Sequence, residues 1–145
     1  MTLHYPDDAA IERIGKGVLA RRLPKPEWTH PAHFACTLWL MRHRPDLDLP
    51  ARMPGIIRAY NVSVGGENTD TAGYHETITQ ASLRAARSVL DAHDPSEPLH
   101  EVLDALMAGP FGDKDWLLTY WTRELLFSAH ARRVWVEPDI APLPW

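Results

Sequence analysis

The sequence predicts a compact all-α domain of about five to six helices with an extended Pro-rich C-terminal tail. Three observations carry this. Apolar residues recur at helical spacing in successive segments, prolines and glycines divide those segments, and no stretch alternates long enough for a sheet. At 145 residues the chain fits one domain, 1–145, and can bury a core without staples.

The first helix starts from Asp7 or Asp8 as cap and runs to about Leu23, with Ile11, Ile14, Val18 and Leu19 on its inner face. Pro24 and Pro26 stop it. A second begins near Pro31, a residue suited to the first helical position because it has no N–H to leave unpaired. It runs through Phe34, Leu38, Trp39 and Met41, apolar nearly all round, so it belongs at the centre of the fold. A third spans roughly Ala51 to Val64, with Met53, Ile56, Ile57 and Tyr60 inward, and ends at Gly65-Gly66.

Glu67 to Gly73 reads as a polar loop. A fourth helix follows, from about Tyr74 to His93, with His75, Ile78, Ser82, Ala85 and Val89 on one stripe. Leu99 to Met107 form a fifth after Pro98. Trp116 to His130 is one helix or two short ones, because Thr122 and Ser128 can each cap a new start. The tail, Glu137 to Trp145, holds Pro138, Pro142 and Pro144 and packs in an extended form, anchored by Trp145.

Hydrophobic residues make up 45% of the chain and charged ones 23%, ordinary globular material. A net charge of −4 with scattered Lys and Arg argues against nucleic acid as a partner. Phe34 to Met41, the longest apolar run, is too short for a membrane span. Met1 to Ala10 carries Asp7 and Asp8 and no apolar run, so it does not read as a secretory signal. Cys36 is the single cysteine, which excludes an intramolecular disulfide and fits a reducing compartment. The expected location is the cytoplasm.

Two short stretches concentrate the chemistry. In Trp28-Thr29-His30-Pro31-Ala32-His33, two imidazoles three residues apart at a helix start fall on nearly one face, a spacing that lets both reach one metal ion. Asn68 to Thr77 adds His75, Glu76, Tyr74 and several hydroxyls at another helix start. His30, His33, His75 and Glu76 together would supply a first shell for a divalent ion such as zinc, iron, copper or manganese, with a position left for water or substrate. Glu76, Tyr74 and Arg58 are the accompanying catalytic candidates. Asn61 or Asp70 can orient an imidazole through its second nitrogen.

Each residue also has a structural role open to it. His30 can cap, His33 can bond a backbone carbonyl, Glu76 suits a capping box, and Arg58 can pair with Glu67 or Asp70. His4 and His93 read as exposed, His43 as a helix-end cation, and His100 and His130 show no partner pattern. Trp39, Trp116 and Trp121 fall at core spacing, and Cys36 reads as inert filler.

These paired stretches, with Arg58-Ala59-Tyr60-Asn61 and Trp135-Val136-Glu137-Pro138-Asp139, resemble a family of short bacterial proteins without a settled activity. That resemblance implies a small stand-alone bacterial protein. The architecture is also similar in general terms to DinB-like helical bundles, which carry a three-histidine metal site. Their histidine spacing does not match His30, His33 and His75, so no roles are carried over.

Three functions follow from the residues. The first is a metal-dependent enzyme, most simply a hydrolase working through a metal-activated water, though oxidation on iron or copper also suits the ligands. The second is a metal-free small-molecule binder or acid–base protein using His75, Glu76, Tyr74 and Arg58. The third is a structural or interaction protein, a homodimer with the aromatic tail as its arm.

Overall fold

The computed structural model describes residues 5–145 and is helical, with no strand among them. His4 lies outside the described residues. Within the described residues seven α-helices follow one another: α1 Asp8–Leu19, α2 His30–His43, α3 Leu49–Ser63, α4 Glu76–Asp91, α5 Leu99–Ala108, α6 Arg123–Leu126 and α7 Ala129–Arg133. None is long and apolar enough to cross a membrane.

Local chemistry explains most of the boundaries. The Asp7 carboxylate accepts from Ala10 N–H and starts α1. Thr29 does the same for α2 through Ala32 N–H, so the threonine, and not His30, is the cap. Thr122 and Ser128 cap α6 and α7, which divides the region after Trp116 into a 3₁₀ turn and two short helices. Pro54 lies inside α3 and has no N–H to give to Pro50 four residues back. The carbonyl so released accepts from Gln80 Nε2 at 2.9 Å, tying α3 to α4.

Helix α2 is the axis of the bundle. Ala32 and every residue from Phe34 to Met41 are buried, against α1 on one side and α4 and α5 on others. Close approach to α1 is possible because Gly15 has no side chain there; a Cβ would stand 2.5 Å from the Trp39 ring. At the far end of α5, Pro110–Gly112 forms a 3₁₀ turn folded back onto the helix. A Cβ on Gly112 would come within 2.0 Å of Met107 O, so only glycine permits that approach.

Residues 134–145 carry no regular element, and the extended form expected for the tail is not what defines them; their contacts do. Trp121 Nε1 donates to Val136 O at 3.1 Å, and the Asp139 carboxylate accepts from Thr122 N–H and Oγ1 at 2.7 Å each. Trp145 stands edge-on to Phe111 and Tyr120, with centroids 5.2 and 5.8 Å away, and 6.0 Å from Trp116. Arg84 donates to its carbonyl.

Candidate functional site

Histidines 30 and 33 sit in the first turn of α2 and both line a cavity of about 270 Å³. Its walls are mostly apolar: Trp28, Phe34, Met53, Ile57, Ile78, Leu83, Trp116 and Leu117. Thr37, Thr79, Ser82 and Lys114 complete the lining, and no Asp or Glu among the described residues contributes to it. On α4 the inward stripe differs from the expected one. Of the expected positions Ala85 is buried, joined by Thr77, Ala81, Leu83 and Ala86, while Ile78 and Ser82 turn toward the cavity.

Each of the two imidazoles is fixed by one backbone carbonyl. His30 Nε2 lies 2.7 Å from Phe111 O, and His33 Nδ1 lies 2.6 Å from Thr29 O. A carbonyl only accepts, so those nitrogens carry the protons. In the neutral rings, His30 Nδ1 and His33 Nε2 keep free lone pairs, with no partner among the described residues. The His33 ring also stacks on Trp28 at 3.8 Å between centroids. Crowding by the cavity walls withdraws it from bulk water and, with His30 nearby, holds its pKa below the ordinary histidine value. The residue is nonetheless exposed at the protein surface, so its withdrawal from water is only partial; with its pKa lowered, the ring is mostly neutral at pH 7.

His75 is elsewhere. It is 7% exposed and serves as the N-cap of α4, its Nδ1 accepting from Ile78 N–H at 3.2 Å while Nε2 donates to Leu126 O at 2.7 Å. Both nitrogens are occupied, so a metal would have to displace a backbone bond to use this ring. The expected set of His30, His33, His75 and Glu76 is therefore not assembled as one shell. Among the described residues no group of three or more His, Cys, Asp or Glu side chains is disposed to hold an ion.

Arg58, Tyr74 and Glu76 do meet, in a network of their own. The Tyr74 hydroxyl donates to Glu76 Oε1, which also accepts from Gln80 Nε2 at 3.3 Å, and the Arg58 guanidinium covers the phenol ring at 4.7 Å. Tyr74 is 4% exposed, and its burial together with the adjacent carboxylate pushes its pKa up. Glu76 thus binds the phenol rather than reaching back as a capping box. Arg58 stacks on Tyr74 rather than pairing with Glu67 or Asp70. Asp70 pairs with Arg133 instead, its carboxylate 2.7 Å from Nε, and Asn61 bonds Asn68, so neither orients an imidazole.

The loop before α4 is built around Asn68, whose Oδ1 accepts from Asn61 and from Tyr74 N–H. Gly73 adopts φ +80°, and a Cβ there would meet Glu67 O at 2.1 Å, so the sequence needs glycine at that bend.

The polar cavity residues that sequence reading missed are Thr37, Thr79 and Lys114. Thr37 sits one turn after His33 and bonds its carbonyl, a spacing visible in the sequence. Lys114 comes from a loop far along the chain and left no signal. Two of the other histidines also find partners: His100 Nδ1 meets Asp8 Oδ1 at 2.7 Å, and His93 meets Glu97 at 2.9 Å. A second, wider-mouthed cavity of about 530 Å³ lies beyond Leu83 and is lined by Asp48, Arg84, Arg87, Asp91 and Trp145 among others. Its arginines are engaged, Arg84 with Trp145 O and Arg87 with Asp91. No protein family, curated protein or solved structure compared with this chain matches it.

Proposed function

We propose that this chain binds a small molecule, without a metal, in the cavity lined by His30 and His33. The observation that supports the reading is the combination of apolar walls with two imidazoles, each anchored through one nitrogen and free at the other. Ligand sites have this character: a mostly apolar concavity with a few placed polar groups. The volume of 270 Å³ is modest. A dry apolar cavity of about 150 Å³ already admits benzene, so a substituted single ring fits here.

The competing metal reading asks His75 to abandon its cap on α4 or its bond to Leu126, and asks Glu76 to leave Tyr74. Neither cost arises for a ligand held at His30 and His33 alone.

The test is an NMR titration with small substituted benzenes, in the presence and absence of a chelator. The expected result is saturable shifts of the Trp28 and Trp116 indole N–H signals that the chelator leaves unchanged. Binding seen only after a divalent ion is added, and abolished by the chelator, would replace this reading with the metal one. Absence of any saturable shift would remove it.

A further inference from the structure

The lining of the cavity also specifies what kind of polar group its occupant carries. We propose that the His30–His33 cavity selects small phenols, an inference that rests on this cavity being the binding site. Phe111 O and Thr29 O each require an N–H, so in the neutral form of either ring the nitrogen left for an occupant of the cavity these residues line accepts and cannot donate. Whatever polar group of the ligand faces them must therefore bring a hydrogen.

Three kinds of polar group can be compared. An ammonium group meets no carboxylate in the lining, while Lys114, which forms no ion pair among the described residues, contributes a like charge. A carboxylate is welcome to Lys114 but brings only acceptors to two acceptors, and has to take up a proton to satisfy them. A hydroxyl supplies the missing hydrogen without a charge to bury. Of hydroxyl compounds, a phenol suits best. Its ring packs against Trp28, Phe34 and Trp116, and its O–H is a stronger donor than an alcohol's, with Lys114 placed to favour the partial negative charge left on oxygen.

Binding of 4-ethylphenol, of its methyl-for-hydroxyl analogue 4-ethyltoluene, and of 4-ethylbenzoate is to be measured on the full chain and on His33→Phe. That variant keeps an aromatic face for Trp28. It leaves no carbonyl orphaned, because Thr29 O also accepts from His33 N–H. In the natural protein the phenol should bind at least as tightly as the hydrocarbon, although water holds the phenol far better. His33→Phe should weaken the phenol about tenfold, the size of a lost hydrogen bond, and leave the hydrocarbon within about twofold.

Tighter binding of 4-ethyltoluene than of the phenol, or equal effects of the variant on both, would overturn the selectivity while leaving the cavity as a binding site. Preference for 4-ethylbenzoate would do the same and make Lys114 the recognition group. If none of the three binds, the binding reading itself fails. Should His33→Phe not fold, the order of affinities in the natural protein decides by itself.

Discussion

Acid should loosen this protein through His75, and two substitutions separate the causes. His75 joins two parts of the chain: Nδ1 accepts the Ile78 N–H at the start of α4, and Nε2 donates to Leu126 O at the end of α6. Protonation puts a hydrogen on Nδ1 against the Ile78 N–H and a charge at a helix N-terminus, where the helix dipole opposes it. Burial is the largest cause that lowers the His75 pKa, and the neighbouring Arg132 lowers it further, against the opposing bond to Leu126. The unfolded chain titrates near the ordinary value of about 6.5. Above that pH neither state binds the proton, and the native state has its full stability. Below it the unfolded chain takes up a proton that the native ring refuses, so stability falls with pH by at most about 1.4 kcal/mol per unit, until the lowered native pKa is reached.

His75→Asn keeps a good cap but is too short to reach Leu126, which leaves a buried carbonyl unpaired at about 1–3 kcal/mol. His75→Ala loses the cap as well, about 1 kcal/mol more. Urea unfolding followed by tryptophan fluorescence between pH 7.5 and 5 reads both effects. The difference between the natural protein and His75→Asn should be largest at pH 7.5 and shrink toward pH 5. The contribution from His33 is common to both proteins and cancels. A difference independent of pH would refute the titration argument, and a neutral His75→Ala would refute the structural role altogether.

Gly15→Ala should cost about 1–3 kcal/mol in urea, because the new Cβ meets the Trp39 ring at 2.5 Å in a filled core. Asp8→Ala removes the carboxylate that accepts from Leu99 N–H, His100 N–H and the His100 ring, and should lower stability by about 1–2 kcal/mol. Those bonds hold the Asp8 pKa down against partial burial, so its contribution should be intact near neutrality and fade as pH falls below about 4. Tyr60→Phe strips Leu23 O of its donor at 2.9 Å in a fully buried place, for a loss of about 1–2 kcal/mol by the same unfolding assay. Cys36 should resist a thiol reagent in native buffer and react at once in denaturant, since complete burial pushes its pKa up to about 12.

The fold was legible because its determinants are local. Asp7, Thr122 and Ser128 act as the caps their positions predict, and the continuous apolar surface of α2 places it at the centre. The inward face of α4 was harder to read. Ala85 lies on the stripe that spacing gives with His75, but Ala81, Leu83 and Ala86 are buried beside it while Ile78 and Ser82 face the cavity, and spacing does not reveal which stripe meets a neighbour. The histidines were found by residue type, yet their partners are not local: His30 bonds residue 111 and His75 bonds residue 126. Convergence of side chains from three helix ends is a property of packing, and the pattern Gly73-Tyr74-His75-Glu76-Thr77 contains no trace of it.

That pattern has a role all the same, and it connects the two stretches that share no shell. Thr77, fully buried, donates to Val134 O and accepts from Val136 N–H, so the first turn of α4 holds the chain where it leaves α7. Arg132 reinforces the join by donating to Gly73 O and Tyr74 O, and Asp70 binds Arg133. Together with the His75–Leu126 bond, these fasten α4 on the side away from the cavity, while Ile78, Thr79 and Ser82 of the same helix form one wall of it. The consequence is an order of dependence. Loosening the His75–Thr77 clasp should disturb the cavity by shifting its wall, whereas filling or altering the cavity at His33 should leave the clasp intact. Ligand affinity should therefore fall in His75→Ala even though His75 is no part of the cavity lining, and the acid stability profile of His33→Phe should retain the contribution from His75.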